Sequence, residues 1–194
     1  MHKFTFCWIL LLVSLCAAQS SNLGAAKPQQ SAITIKVSKS GLFSGFAHDH
    51  VVVAPVARAD VDPQRLTAEI TVITKEMKVT DPEVADKDRA EIQSTMLGPK
   101  VLDQEKYPEI HFNSIRIEQT SPQHYRVIGI LDLHGTKQEM AFDVTGAGDH
   151  YHGATKLKQS DFGIKPISLF GGSVKVKDQL ELEFDIYAPP KASS

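Results

Sequence analysis

Two alternating segments between Tyr125 and Val144 constrain the fold more than any other feature of the sequence. In each segment apolar residues recur at every second position, and successive side chains of a β-strand point to opposite faces. The turn between them contains Gly135, which can adopt the positive φ that a tight hairpin requires. The sequence therefore predicts a β-hairpin whose apolar face is formed by Val127, Leu131 and Leu133 on one strand and Met140, Phe142 and Val144 on the other.

The same alternation recurs along most of the chain and predicts about eight strands, each with one apolar face. They include segments around Ile33–Val37, Val51–Val56, Leu66–Val72, Ile110–Ser114, Tyr151–Leu157 and Leu180–Tyr187. Because strands do not alternate regularly with helices, the sheet is predicted to be antiparallel. The fold class is therefore all-β, a barrel or a sandwich. A barrel of eight strands either fills with side chains or holds one small ligand.

The stretch from Asp81 to Leu97 breaks the strand pattern and predicts a short helical insertion. Asp81 is placed as the helix cap and Pro82 in the first turn, which are positions that these residue types favour. Gly98 and the proline after it mark the end of the insertion. We expect one or two short helices here, with a narrow apolar stripe of Ala85, Ile92, Met96 and Leu97.

The first residues have the pattern of an export signal. Lys3 precedes an apolar run from Phe4 to Leu15, which is too short to cross about 30 Å of hydrocarbon, and small residues follow it. We predict a signal peptide at 1–18, a flexible leader at 19–31, one domain at 32–188 and a tail at 189–194. Lipid attachment at Cys16 is the alternative. The mature protein is then periplasmic or secreted.

Charge and motifs exclude several classes of function. The formal net charge is −2, without a basic excess, so a nucleic-acid partner is not expected. The sequence contains neither a Gly-x-Ser-x-Gly nor a His-Glu-x-x-His motif, and no glycine-rich phosphate loop. We therefore predict that the protein is not an enzyme and has no catalytic residues.

Metal binding is the alternative function. His48 and His50 are two residues apart, so in a strand both imidazoles point the same way and can bind one metal ion. His111 or His134 is a candidate third ligand, and His150 with His152 forms a second, weaker pair. On this hypothesis the protein is a metal-binding protein or a metal-dependent enzyme that uses His48 and His50.

Several short segments between Ser31 and Ala188 form a characteristic pattern through their order and spacing. They are Gly41-Leu42-Phe43, His48-Asp49-His50, Lys87-Asp88-Arg89, Lys106 to Ser114, Tyr125 to Thr136 and Asp161-Phe162-Gly163-Ile164. In this order and spacing the chain resembles the YceI-like family of exported lipid-binding proteins. The resemblance implies an extended lipocalin-like barrel that binds or carries a long apolar ligand, such as a polyisoprenoid or an isoprenoid quinone, without catalysis and without a further cofactor. A homodimer and a membrane-protein partner in the envelope are left open.

The predicted ligand cavity is lined by inward residues of one parity and by aromatic residues in bends at the barrel mouths. Large apolar residues in such bends would be costly to expose unless something covers them. Parity does not separate cavity-lining residues from an ordinary core, so a domain with a solid core, serving adhesion or assembly, is a third interpretation. The predicted cavity residues are Phe43, Phe46, Val52, Ile70, Val72, Phe112, Leu131, Leu133, Phe142, Phe162 and Phe170.

We predict that the exported protein begins near Gln19, because small residues at Ala17 and Ala18 follow the apolar run. Intact-mass analysis of the exported protein should show the loss of residues 1–18. An intact N-terminus, or a diacylated Cys16, would contradict this prediction.

Overall fold

The computed structural model describes residues 30–40, 49–169 and 174–188. Twelve strands, one α-helix and two 3-10 turns occur in this part of the chain. The strands are β1 Ala32–Val37, β2 Lys39–Ser40, β3 His50–Asp62, β4 Thr67–Ile73, β5 Lys78–Val79, β6 Glu109–Ser121, β7 His124–Leu133, β8 Thr136–Ala147, β9 His150–Lys158, β10 Ser168–Leu169, β11 Val174–Val176 and β12 Gln179–Tyr187. The helix α1 spans Asp86–Leu97, and the 3-10 turns span Thr74–Glu76 and Gln159–Phe162.

Eight of the described strands close into an antiparallel barrel in the order β1-β12-β9-β8-β7-β6-β4-β3, and β3 pairs back onto β1. The closure is complete because Ile35 of β1 lies opposite Leu182 on one side and opposite Val52 on the other. The strand β5 adds to β3 at one end of the barrel. β10, β11 and β2 form a separate three-stranded sheet, here called the small sheet. The predicted all-β barrel is confirmed.

The hairpin predicted from Tyr125 to Val144 is confirmed as β7 and β8. Leu133 pairs with Thr136, and the two residues between them, His134 and Gly135, have φ values of 53° and 69°. Positive φ at both central residues is the signature of a type I′ turn, which matches the twist of paired strands. A Cβ at Gly135 would also lie 2.5 Å from the Tyr107 ring, so glycine is required there for space as well as for backbone conformation.

The helical insertion is confirmed, but it begins later than the sequence suggests. The helix α1 starts at Asp86 with Ala85 as its N-cap, so the predicted cap at Asp81 is wrong. The carboxylate of Asp81 instead accepts a hydrogen bond of 2.6 Å from the Val51 backbone N–H. From the predicted stripe Ala85 is exposed, whereas Ile92, Met96 and Leu97 pack against the core.

Asp81 joins the start of β3 to the segment that leads into α1. Its side chain is 6% exposed, and its second oxygen lies 2.6 Å from Nδ1 of His50. The Arg89 guanidinium donates to the carbonyl oxygens of Asp81 and Val84, and it pairs with Asp86. A buried carboxylate is tolerated when hydrogen bonds satisfy it, and here it fixes the position of α1 on the barrel.

Within the described residues, no helix has the length and apolar character needed to span a membrane. Residues 1–29 and 189–194 lie outside the described part of the chain. The predicted signal peptide, nearly all of the leader and the tail therefore stay predictions.

We predict that Asp81→Ala lowers the free energy of unfolding by about 1–3 kcal/mol, because the Val51 N–H loses its acceptor in a partly buried position. Asp86→Ala is the matched control, since the Asp86 side chain is 94% exposed and its ion pair with Arg89 is worth at most about 1 kcal/mol. Urea unfolding of both variants measures the difference. Equal losses in the two variants would show that Asp81 has no special structural role.

Candidate functional site

The main candidate site is a cavity of about 510 Å³ inside one end of the barrel, here called the large cavity. Apolar side chains from β1, β3, β4, β6, β7, β9 and β12 form its walls, α1 covers one side and the small sheet borders another. Ligand pockets in proteins typically have volumes of about 300–1,000 Å³, so this space suits a small molecule. Its wall residues include Ile33, Ile35, Val52, Ala54, Val72, Ile110, Leu131, Leu133, Leu157, Leu180 and Leu182.

Several of these inward residues are only partly buried, although they point into the barrel. Ile33, Ile110, Leu131 and Leu182 all belong to the strand faces that line the cavity, and each keeps some accessible surface. A filled core at normal packing density leaves few voids larger than a water molecule. The interior of this barrel is therefore hollow at the end where these side chains lie.

The helix α1 is fastened to the barrel by one side-chain amide. Gln93 accepts a hydrogen bond of 2.8 Å from the Val79 N–H and donates one of 2.8 Å to the Met77 carbonyl. Ile92 and Met96 on the same helix line the large cavity. The amide thus bonds to backbone groups at β5 as a neighbouring strand would, and it holds the apolar side of α1 against the cavity.

Charged residues form a rim around the large cavity. Asp88 and Glu91 contribute from α1, and Lys39 and Lys175 contribute from the small sheet. His50 also lines the cavity, where it contacts the buried carboxylate described above. The rim therefore carries both signs of charge, while the walls below it are apolar.

A second cavity of about 150 Å³, here called the small cavity, lies at the other end of the barrel. Phe112, Phe142 and Phe184 line it in a row, with ring centroids 5.4 Å apart between neighbours. Cβ atoms added at Gly129 or Gly153 would lie 2.4 Å from the Phe112 ring and 2.6 Å from the Phe184 ring, respectively. These inward glycines leave the space that the phenylalanine rings occupy, so this end of the barrel is more fully packed.

Tyr151 also lines the small cavity, and its pKa is raised above the ordinary value for tyrosine. Burial is the main cause, because it disfavours the charged phenolate, and the neighbouring Tyr125 and Asp149 add to the effect. The neutral phenol is therefore the form that suits this apolar end of the barrel.

The sequence profile of the YceI-like domain matches residues 25–188. The chain belongs to the YceI-like family. This match covers most of the 194 residues, including every strand of the barrel. No curated protein matches the sequence.

Solved structures of YceI-like and related proteins have a similar fold. BcnA of Burkholderia cenocepacia matches with a TM-score of 0.61 and 17% identity over 81% of this chain and 96% of that one. A YceI protein of Campylobacter jejuni matches with a TM-score of 0.53 and 16% identity over 70% and 80% of the two chains. At these identities the likeness shows a shared fold and nothing more specific.

The structure places ten of the eleven predicted cavity residues of this YceI-like chain in three groups. Val52, Val72 and Leu133 line the large cavity, and Leu131 lines both cavities. The small cavity is lined by Ile70, Phe112 and Phe142. Phe43, Phe46 and Phe170 lie outside the described residues, as do the neighbouring Ser44 and Ala47. A role in ligand binding stays a prediction for all of them.

Phe162 is the exception among the described candidates. It sits in the 3-10 turn Gln159–Phe162, is 2% exposed, and packs within the hydrophobic core rather than against either cavity. Its carbonyl oxygen lies 3.3 Å from Nδ1 of His134. The Phe162 side chain is thus part of the packed core and does not lie at an exposed mouth of the barrel.

Sequence reasoning missed several residues that line the two cavities. Their signal was present, since they belong to the same alternating faces as the predicted residues or to the apolar stripe of α1. They include Ile33, Ile110, Met140, Leu180, Leu182 and Phe184 on strands, and Ile92 and Met96 on the helix.

The metal-binding hypothesis stays a prediction, because His48 lies outside the described residues. Among the residues that the structure does describe, no group of three or more His, Cys, Asp or Glu side chains is arranged to hold a metal ion. His50 contacts Asp81, His111 lies 3.0 Å from Glu109, and His134 contacts the Phe162 carbonyl.

The second histidine pair has other partners. Nε2 of His150 lies 2.9 Å from the Asp185 carboxylate, and its ring stacks on Tyr187 with centroids 4.4 Å apart. The ring of His152 lies 5.9 Å from that of His150.

We predict that Gln93→Ala loosens α1 from the barrel and lowers the free energy of unfolding by about 1–3 kcal/mol, because the buried Val79 N–H loses its acceptor. Amide hydrogen exchange of α1 and β5 should accelerate. Lys87→Ala, an exposed position on the same helix, should change stability by no more than about 0.5 kcal/mol. Unchanged exchange in Gln93→Ala would show that other contacts hold the helix.

Proposed function

We propose that this protein binds and carries a long apolar molecule in the cell envelope, without catalysis. The ligand class is a polyisoprenoid, an isoprenoid quinone or a similar amphiphile. The observation that supports this proposal is the large cavity of about 510 Å³, whose inward apolar side chains remain accessible. Membership of the YceI-like family supports a binding role in general.

The energetics favour a ligand with a long hydrocarbon tail. Each CH₂ group that leaves water for an apolar cavity contributes about 0.8 kcal/mol. Association and side-chain ordering cost on the order of 4–15 kcal/mol. A tail of about a dozen carbons contributes about 10 kcal/mol, which is comparable to that cost, and each further buried CH₂ group then adds to the affinity without any polar contact.

The distribution of charge gives such a ligand an orientation. The apolar walls suit the tail, and the rim of Asp88, Glu91, Lys39 and Lys175 suits a polar head that stays near water. A headgroup buried below the rim would lose hydration without hydrogen-bond partners, which is costly. The tail therefore enters first and the head stays at the rim.

The solid-core interpretation, with a role in adhesion or assembly, fits the structure less well. A solid core leaves no space for a ligand, whereas the described residues surround a cavity of about 510 Å³. Apolar cavities of such size are costly to leave unfilled, because their walls lose packing contacts. A ligand that fills the space restores those contacts.

Location in the periplasm or outside the cell is part of the proposal. It is supported by the apolar run from Phe4 to Leu15 followed by small residues. A carrier that shields a tail from water suits an aqueous compartment that apolar molecules must cross.

We predict that Ile110→Trp lowers ligand occupancy, because Ile110 lines the large cavity and the larger side chain takes up tail space. Loss of two bound CH₂ groups of the ligand raises the Kd about fifteenfold. The matched control is Ile115→Trp on the same strand, where a register shift between Ser114 and Arg116 leaves Ile115 61% exposed.

Binding is measured with a linear isoprenoid alcohol in competition with a fluorescent apolar probe, and by native mass spectrometry of protein purified without detergent. Ile115→Trp should bind like the original chain, and both variants should keep a similar Tm. Equal binding by Ile110→Trp and Ile115→Trp, or no binding by the original chain, would overturn the proposed function.

A further inference from the structure

The boundary between the two cavities is made by a small set of shared side chains. Ile33, Leu131 and Leu182 line both the large cavity and the small cavity. All three are apolar and only partly buried. A tail that extends from the large cavity toward the small one must therefore pass these side chains, here called the boundary.

The barrel topology places the boundary residues on opposite walls. Leu131 is on β7 and Ile33 is on β1, and these strands are four positions apart in either direction around the ring of eight. Leu182 is on β12, the neighbour of β1, where it lies opposite Ile35. In a closed eight-stranded barrel, the interior is just wide enough for inward side chains to fill it. The boundary residues thus lie on both walls at the level where the two cavities adjoin.

The space beyond the boundary suits the apolar end of a tail and, among the described residues, has no hydrogen-bond partner for a polar headgroup. The small cavity is lined mainly by apolar side chains and by the rings of Phe112, Phe142 and Phe184, and the polar atoms of residues such as Tyr151 and Thr155 do not face the space. Cavities of this kind stay dry when empty, because they offer water no hydrogen-bond partners. Only an apolar terminus suits this space.

The far end of the small cavity is covered by the turn between β3 and β4. Pro63 and Leu66 of this turn line the cavity, and Leu66 adopts the left-handed φ of 53°, which is unfavourable for a residue with a bulky side chain. The Asp62 carboxylate accepts hydrogen bonds from the backbone N–H groups of Gln64 and Arg65 and so fixes the turn. Leu66 is held over the end of the barrel despite the strain.

We propose that Leu131, together with Ile33 and Leu182, sets the longest tail that the protein accommodates. This inference rests on the proposed function and deepens it. The tail fills the large cavity and ends at the boundary. The small cavity is closed to it by the side chains that reach across the barrel.

The expected signature is a break in the dependence of affinity on tail length. Each added CH₂ that enters the large cavity tightens the Kd about fourfold. Once the tail reaches the boundary, further CH₂ groups remain outside and the Kd stops changing. A series of straight-chain primary alcohols that differ by one CH₂ each measures this dependence by competition with a fluorescent apolar probe.

The deciding variant is Leu131→Ala, which opens the boundary and should move the break to longer alcohols. Leu133→Ala is the matched control on the same strand, because Leu133 lines only the large cavity and its removal leaves the boundary in place. Leu182→Ala opens the boundary from the opposite wall and serves if Leu131→Ala does not fold. A final variant combines Leu131→Ala with Thr155→Phe, since Thr155 lines only the small cavity and a ring there fills it.

The inference predicts that Leu131→Ala or Leu182→Ala moves the break to longer alcohols by more CH₂ groups than Leu133→Ala does. Adding Thr155→Phe to Leu131→Ala should return the break to the length found for the original chain. A Kd that keeps tightening with no break in the original chain would overturn it. A break that moves by the same number of CH₂ groups in Leu131→Ala and Leu133→Ala would also overturn it. So would a break that stays at the longer alcohols after Thr155→Phe is added to Leu131→Ala. If no alcohol binds the original chain at any length, the proposed function itself fails, which is a different result.

Discussion

Closure of the sheet is the constraint on which the rest of this structure depends. Ile35 of β1 pairs with Leu182 of β12 on one side and with Val52 of β3 on the other, so the ring of eight strands has no free edge. Closing eight strands fixes a barrel diameter at which the interior can just be filled by side chains or can hold one small ligand. Which of these happens is then decided by the size of the inward residues, position by position along the barrel axis.

This chain fills the two ends of its barrel differently. At one end, inward glycines lie beneath phenylalanine rings, as Gly129 does beneath Phe112 and Gly153 beneath Phe184, so large rings occupy the width of the barrel. At the other end, the described residues that line the interior are mostly aliphatic, and none of them is a phenylalanine, tyrosine or tryptophan, which leaves the large cavity. The helix α1 then covers an opening that would otherwise expose apolar walls to water, and Gln93 holds it there through β5.

Local patterns predicted the strands and the hairpin well, because parity and the His134-Gly135 turn are properties of adjacent residues. They failed where the deciding partner is distant in sequence. Asp81 has the local context of a helix cap, yet its carboxylate bonds to the Val51 N–H, 30 residues earlier in the chain. Cavity and core were likewise inseparable, since Val52 and Val56 share one parity on β3, yet Val52 lines the large cavity whereas Val56 packs against the core without lining either cavity.

The magnitudes indicate which part of an amphiphile such a site would discriminate. An exposed ion pair, the kind of contact that rim residues such as Lys175 or Glu91 offer, is worth about 0–1 kcal/mol and is screened by salt. Each tail CH₂ placed in the cavity is worth about 0.8 kcal/mol. Three added CH₂ groups therefore outweigh any single headgroup contact at the rim. On the proposed function, selection acts mainly on the length and shape of the tail, and the headgroup mainly fixes which end remains at the rim.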